Sequence, residues 1–167
     1  FSGAGRVPVL IDGSLSVHEA LAICEYAAER FPEAHLWPAD PLVRARARAV
    51  SAEMSSDFSH IRSEMPMNLR GRASSFTPSG GAAAEIARVF DIWEASLATS
   101  DGRFLFGDFT IADCMYAPVV SRFRTYGIPL TGVVGKWAEA LWSHPSVLKW
   151  IKLAEESIAI PKYDELL

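Results

Sequence analysis

Metal and nucleophile chemistry each need particular side chains at set spacings, and this sequence offers little of either. His18, His35, His60 and His144 never stand four residues from one another or from a cysteine, so no helix face carries a ligand pair and no metal is expected. Cys24 and Cys114 lie far apart without a C-x-x-C pattern and read as reduced, buried small hydrophobes. No glycine-rich dinucleotide loop, P-loop lysine or G-x-S-x-G elbow occurs. Arg44, Arg46 and Arg48 alternate, but a helix turns Arg46 away from the other two, which makes them solvated charge. Arg70 and Arg72 in a loop, and Tyr116 and Tyr126, could meet a substrate, and nothing in their spacing decides it. Two acids are better placed. Asp113 follows Thr110 by three residues, the spacing of a reciprocal helix cap with an acid in place of the usual Glu or Gln, and it reads as a folding element. Glu19 follows Ser16 by three, so it is either half of such a cap or, if the helix starts later, a carboxylate at a helix N-terminus. Pro8 is the last oddity. It stands inside the apolar run 7–11, where a proline cannot donate to a strand ladder, and taken alone it fits a trans proline at a strand start.

These residues need elements to hold them. The β-branched run 7–11, the turn pair Asp12-Gly13 and the alternating Leu15 and Val17 predict a β-hairpin. Two strands are marginal alone in water, so a helix must cover them or further strands must be encoded upstream of Phe1; their apolar content favours the second. From Glu19 the apolar period becomes helical, with Leu21, Ile23, Cys24 and Ala27 facing inward as far as Pro32. After a connector around Trp37, Asp40 caps and Pro41 opens a long amphipathic helix whose stripe runs from Val43 through Met54, Phe58 and Ile61 to Met65. Ile86, Phe90, Trp93 and Leu97 mark another helix, Ile111, Met115, Val119 and Phe123 a third, and segments near 134–142 and 145–156 two more. The order is a hairpin and one helix, a linker, and an all-α bundle of about five helices, hence two domains and an α+β class overall.

Composition narrows the partners. The chain has 167 residues, half of them hydrophobic, with a formal charge of -4. That predicts a soluble globular protein with no basic face for nucleic acid and no span or signal peptide for a membrane, and so a cytoplasmic one.

The segments "GRVPVL", "ALAICEY" and "FTIAD", in this order and spacing over the whole chain, resemble the cytosolic glutathione transferases, in particular bacterial ones near the beta class. The resemblance implies that 1–32 is the C-terminal half of a thioredoxin-like glutathione-binding domain, 33–40 a linker, and 41–167 the all-α C-terminal domain. The Ser, Tyr or Cys that activates the glutathione sulfur would then lie upstream of Phe1. The same resemblance implies a cis Val7-Pro8 bond that frees the Val7 main chain to pair with the cysteine of glutathione, with Glu19 taking the γ-glutamyl ammonium and the Ala20 N–H its carboxylate. The family's usual serine is replaced by Ala20, which removes a hydroxyl contact and weakens glutathione binding. Met54, Ser55 and Phe58 would line a mostly apolar pocket for the second substrate, Ser55 standing where such proteins often carry a histidine; the same stripe also fits a packed core. The expected activity is conjugation of the glutathione thiolate to a small electrophile by a homodimer. Two alternatives stay open: a binding or assembly protein that has lost turnover, and a glutathione-dependent isomerase or dehalogenase.

Overall fold

The computed structural model describes residues 7–158 together with Gly3, Gly5 and Pro161, so parts of the expected domains 1–32 and 41–167 lie outside it. Strands β1 (Val9–Asp12) and β2 (Leu15–His18) pair antiparallel, with Val9 opposite His18 and Asp12 opposite Leu15. Pairing begins only after Pro8. The turn is formed by Gly13 and Ser14, one residue later than the Asp12-Gly13 pair. Gly13 takes φ 59 while Ser14 stays out of the left-handed region, a pattern that demands glycine at the first loop position.

Helix α1 (Ala20–Arg30) packs on both strands, and none of its residues is fully buried. It sets Leu21, Cys24 and Ala28 against the core of the remaining chain. Among the described residues β1 has no partner other than β2. Behind a 3-10 turn (Pro32–Ala34), Trp37 is buried and the Leu36 carbonyl accepts the Ile111 N–H at 3.0 Å, which ties the linker to the bundle.

Helix α2 (Pro41–Ser56) starts as the sequence predicts, with Asp40 Oδ1 accepting the Leu42 and Val43 N–H groups at 2.9 Å. It runs antiparallel to α1, locked by the Glu25–Arg48 pair at 2.8 and 2.9 Å. The apolar stripe does not continue as one helix to Met65. The chain breaks at Asp57 and Phe58, the latter at φ 63, and resumes as α3 (Ser59–Glu64). Polar side chains that periodicity does not register make the break possible. Arg62 donates to the carbonyls of Met54, Ser55 and Asp57 at the end of α2, and Glu85 accepts the His60 and Ile61 N–H groups at the start of α3. Among the described residues the bundle therefore has six helices rather than about five, completed by α4 (Gly80–Ala98), α5 (Ile111–Thr125), α6 (Gly132–Trp142) and α7 (Pro145–Glu155).

Helix α5 is the axis of the core, with eleven of its fifteen residues buried. Trp93 of α4 packs against Tyr116, Phe123 and Trp137 with ring centroids 5.7, 5.4 and 4.8 Å away. The loop before α5 folds back on itself, and a Cβ at Gly102 would stand directly against the Gly107 carbonyl. Gly102→Ala is therefore expected to cost about 1–3 kcal/mol by crowding backbone that cannot rotate away. Denaturant unfolding would show it as a lower midpoint at unchanged slope; an unchanged midpoint would mean that the loop shifts freely.

Candidate functional site

The hairpin register gathers four of the expected site residues at one end. Val9 and His18 are the last pair of the ladder, so Val7 and Pro8 on one strand and Glu19 and Ala20 after the other adjoin the same end of the hairpin. The Val7-Pro8 peptide is cis, and Val7 is 87% exposed. Glu19 is the cap of α1, not a partner of Ser16, which lies within β2. Its backbone sits at φ 77, ψ 133, a region in which a residue with a Cβ costs on the order of 1–3 kcal/mol and which the surroundings must hold in place.

Both oxygens of the Glu19 carboxylate are engaged. Oε2 accepts the Ala22 N–H at 3.1 Å, and Oε1 accepts the Ser55 hydroxyl at 2.8 Å. Burial pushes the carboxyl up, but hydrogen bonds from the Leu21 N–H, the Ser55 hydroxyl and the Ala22 and Ala20 N–H groups outweigh it and hold Glu19 below the ordinary carboxylate range. A fixed anion beside the N-terminus of an eleven-residue helix suits an α-amino acid group, whose ammonium meets the carboxylate and whose carboxylate meets the helix start.

The other expected site residues are distributed differently. Met54 and Phe58 are buried in the core, at 6% and 4% exposure, and Phe58 also walls a cleft of about 420 Å³ with Glu53, Glu85 and Arg88. Ser55 is half-buried, and its hydroxyl points to Glu19. Clefts of about 860 Å³ between the end of α4 and α6, and about 840 Å³ beside the linker, contain none of the expected site residues.

Several residues with reactive side chains are committed to structure. The Tyr116 hydroxyl donates to the Val50 carbonyl at 3.0 Å, and burial pushes its pKa up; Tyr126 donates to Pro66 at 3.2 Å. Arg70 and Arg72 donate to the Ser157 and Gly71 carbonyls. The two cysteines are not the buried hydrophobes expected, Cys24 being half-buried and Cys114 exposed, although the protein around its sulfur, with Asp113 nearby, pushes the Cys114 thiol up to about 12. Asp113 is fully buried and accepts from the Thr110 N–H at 3.0 Å, the Thr110 hydroxyl at 3.3 Å, the Leu105 N–H at 3.1 Å and Trp137 Nε1 at 2.9 Å. Trp137 is a partner that local spacing could not reveal. Among the described residues no group of three or more His, Cys, Asp or Glu could hold a metal, and no helix is long and apolar enough to cross a membrane.

A two-stranded sheet with one covering helix, followed among the described residues by six helices centred on α5, is an α+β architecture with a thioredoxin-like N-terminal domain and a helical C-terminal one. Residues 25–153 match the glutathione S-transferase C-terminal domain and residues 1–35 the glutathione S-transferase N-terminal domain; the chain belongs to the glutathione S-transferase family. It is 32% identical over 131 residues to maleylpyruvate isomerase of Ralstonia sp, covering 75% of this chain and 62% of that protein. Over 135 residues it is 25% identical to a stringent starvation protein A homolog of Haemophilus ducreyi, covering 81% of this chain and 60% of that one. Among solved structures, a glutathione transferase homolog from Burkholderia GL BGR1 with bound glutathione superposes with a TM-score of 0.71 at 27% identity, covering 93% of this chain and 76% of that one. The chain spans about 60% of the length of these curated relatives.

Proposed function

We propose that the protein uses glutathione as co-substrate, binding it along Val7, Pro8, Glu19 and Ala20, and that its thiolate attacks a small, mostly apolar electrophile. The observation that carries this reading is Glu19, a strained residue whose ionised carboxylate is fixed from two sides at a helix N-terminus. Glu19 takes the γ-glutamyl ammonium. The helix start and the Ala20 N–H take the carboxylate, and the Val7 main chain, exposed before the ladder begins, takes the cysteine backbone. The chain's own part in the reaction is to hold and orient the thiol, which converts an encounter of two molecules into a step within one complex. No residue of this chain is assigned the activation of that thiol.

In this reading 1–32 belongs to the glutathione-binding domain, 33–40 is a linker, 41–167 is the helical domain, and Ser55 with the margins of Met54 and Phe58 borders the second-substrate space. The protein works as a cytoplasmic homodimer. The 32% identity to maleylpyruvate isomerase favours a second reading with the same site, a glutathione-dependent isomerisation. Ala20 and Ser55, standing where the family usually has a serine and often a histidine, favour a third, a binding protein without turnover.

Glutathione titrated into the full-length protein is expected to raise its melting temperature. A ligand bound only by the folded state adds about 2.7 kcal/mol at a hundred times its Kd. Stabilisation with consumption of glutathione against an activated aryl halide fits the transferase. Conversion of a cis-unsaturated diacid without consumption fits the isomerase, and stabilisation without either fits the binding protein. No stabilisation at millimolar glutathione would overturn the proposal.

A further inference from the structure

Three other serines in described helices, Ser51, Ser56 and Ser96, turn their hydroxyls back to the carbonyl four residues earlier, at 2.7, 3.0 and 2.7 Å. That bond is the ordinary resting place of a helical hydroxyl. Ser55, between two of them in sequence on α2, does otherwise: it donates across to Glu19 Oε1 at 2.8 Å, joining residues 36 positions apart. The surroundings fix the donor. Arg62 holds the Ser55 carbonyl at 3.3 Å and the Met54 carbonyl beside it, which pins the end of α2. Farther along the antiparallel pair, Glu25 and Arg48 set the register of α1 against α2. With Ala22 N–H on one oxygen and Ser55 on the other, the carboxylate cannot rotate without breaking one of the two bonds.

We propose that Ser55 is a positioning residue for the ammonium of the bound amino acid group: through Glu19, the helical domain sets how well the hairpin domain distinguishes a free α-amino group from a blocked one. This rests on the assignment of Glu19 under the proposed function. Glu19 faces the ammonium only while its Oε1 is held by the hydroxyl; without it the side chain keeps the Ala22 bond alone and samples orientations that do not meet the ligand.

The test measures Kd for glutathione and for glutathione acetylated on its amino group, in the full-length protein and in Ser55→Ala, Ser55→Val and Ser55→Thr. The unaltered protein should prefer free glutathione. Ser55→Ala and Ser55→Val should lose roughly three- to tenfold of that preference, the range expected for one hydrogen bond, while binding of the acetylated form stays constant. Ser55→Thr, which keeps the hydroxyl, should retain it. The contrast between Thr and Val holds shape constant, so a purely structural role for Ser55 would weaken both ligands alike and overturn the inference. Full preference in Ser55→Ala and Ser55→Val, alongside loss in Glu19→Gln, would overturn it while leaving Glu19 in place. If the unaltered protein binds neither ligand or does not distinguish them, the assignment of Glu19 falls, and this inference with it.

Discussion

Asp113→Ala is expected to destabilise the protein by about 3–5 kcal/mol, because each buried donor left without an acceptor costs about 1–3 kcal/mol and four donors converge on this carboxylate. They come from three places: the cap residue Thr110, the loop residue Leu105 and the α6 residue Trp137, whose ring also meets Trp93 at 4.8 Å. One side chain thus joins the start of α5 to the preceding loop and to α6. On a chain of this size 1 kcal/mol moves Tm by about 2–4 °C, so Tm should fall by roughly 10 °C. Burial holds the Asp113 carboxyl above its ordinary value in spite of the hydrogen bonds from Trp137, Leu105 and Thr110. A folded pKa above the unfolded one means that the residue stabilises most below the unfolded carboxyl range and less as pH rises through the folded value. The deficit of Asp113→Ala should therefore be larger at acid pH than at neutral pH. A deficit that grew with pH would show that the four donors outweigh burial. Loss of glutathione affinity at unchanged Tm would refute the structural role altogether.

What sequence spacing reveals about this fold depends on the range of the interaction. Asp40 with Pro41, Thr110 with Asp113, and the stop at Pro32 act within one helical turn, and all three stand where local pattern puts them. The break at Phe58 does not, because the groups that satisfy it, Arg62 and Glu85, lie outside the apolar stripe and say nothing to a periodicity argument. The site divides the same way. Helix α1 starts at Ala20 as the alternation of Leu15 and Val17 implies, which frees Glu19 from Ser16. That Glu19 would take φ 77 has no signal in its residue type, since nothing marks a glutamate for positive φ. Ser55 stands out in the sequence only through the family resemblance, since such proteins often have a histidine at its position. Its partner has no such signal, because the antiparallel pairing of α1 with α2 that brings it to Glu19 is a tertiary fact.

Glu19→Gln should lower glutathione affinity by roughly ten- to a hundredfold, the span of about 1.5–3 kcal/mol for a hydrogen bond to a charged group, while barely moving the Tm of the ligand-free protein. The isosteric amide keeps its one oxygen for the Ala22 N–H and turns its NH2 to Ser55, whose hydroxyl then accepts instead of donating, so the cap of α1 survives and the charge facing the ammonium is lost. Glu19→Ala, by contrast, should lose affinity and also about 1 kcal/mol of stability with the cap. Ala20→Ser should act in the opposite direction. In this chain the first-turn N–H groups already face the Glu19 carboxylate, so a ligand carboxylate must share the helix start with a fixed like charge. A new hydroxyl at residue 20 supplies a donor that Glu19 does not claim, and affinity should rise by about tenfold. Because Glu19 is held below the ordinary carboxylate range, its charge persists through neutral and mildly acid pH and is lost only as pH falls through the folded value. Isothermal titration of the three variants with glutathione at neutral pH checks the set. Equal affinities for Glu19→Gln and the unaltered protein would remove Glu19 from the site, and an Ala20→Ser variant that bound no more tightly would move the ligand carboxylate away from the start of α1.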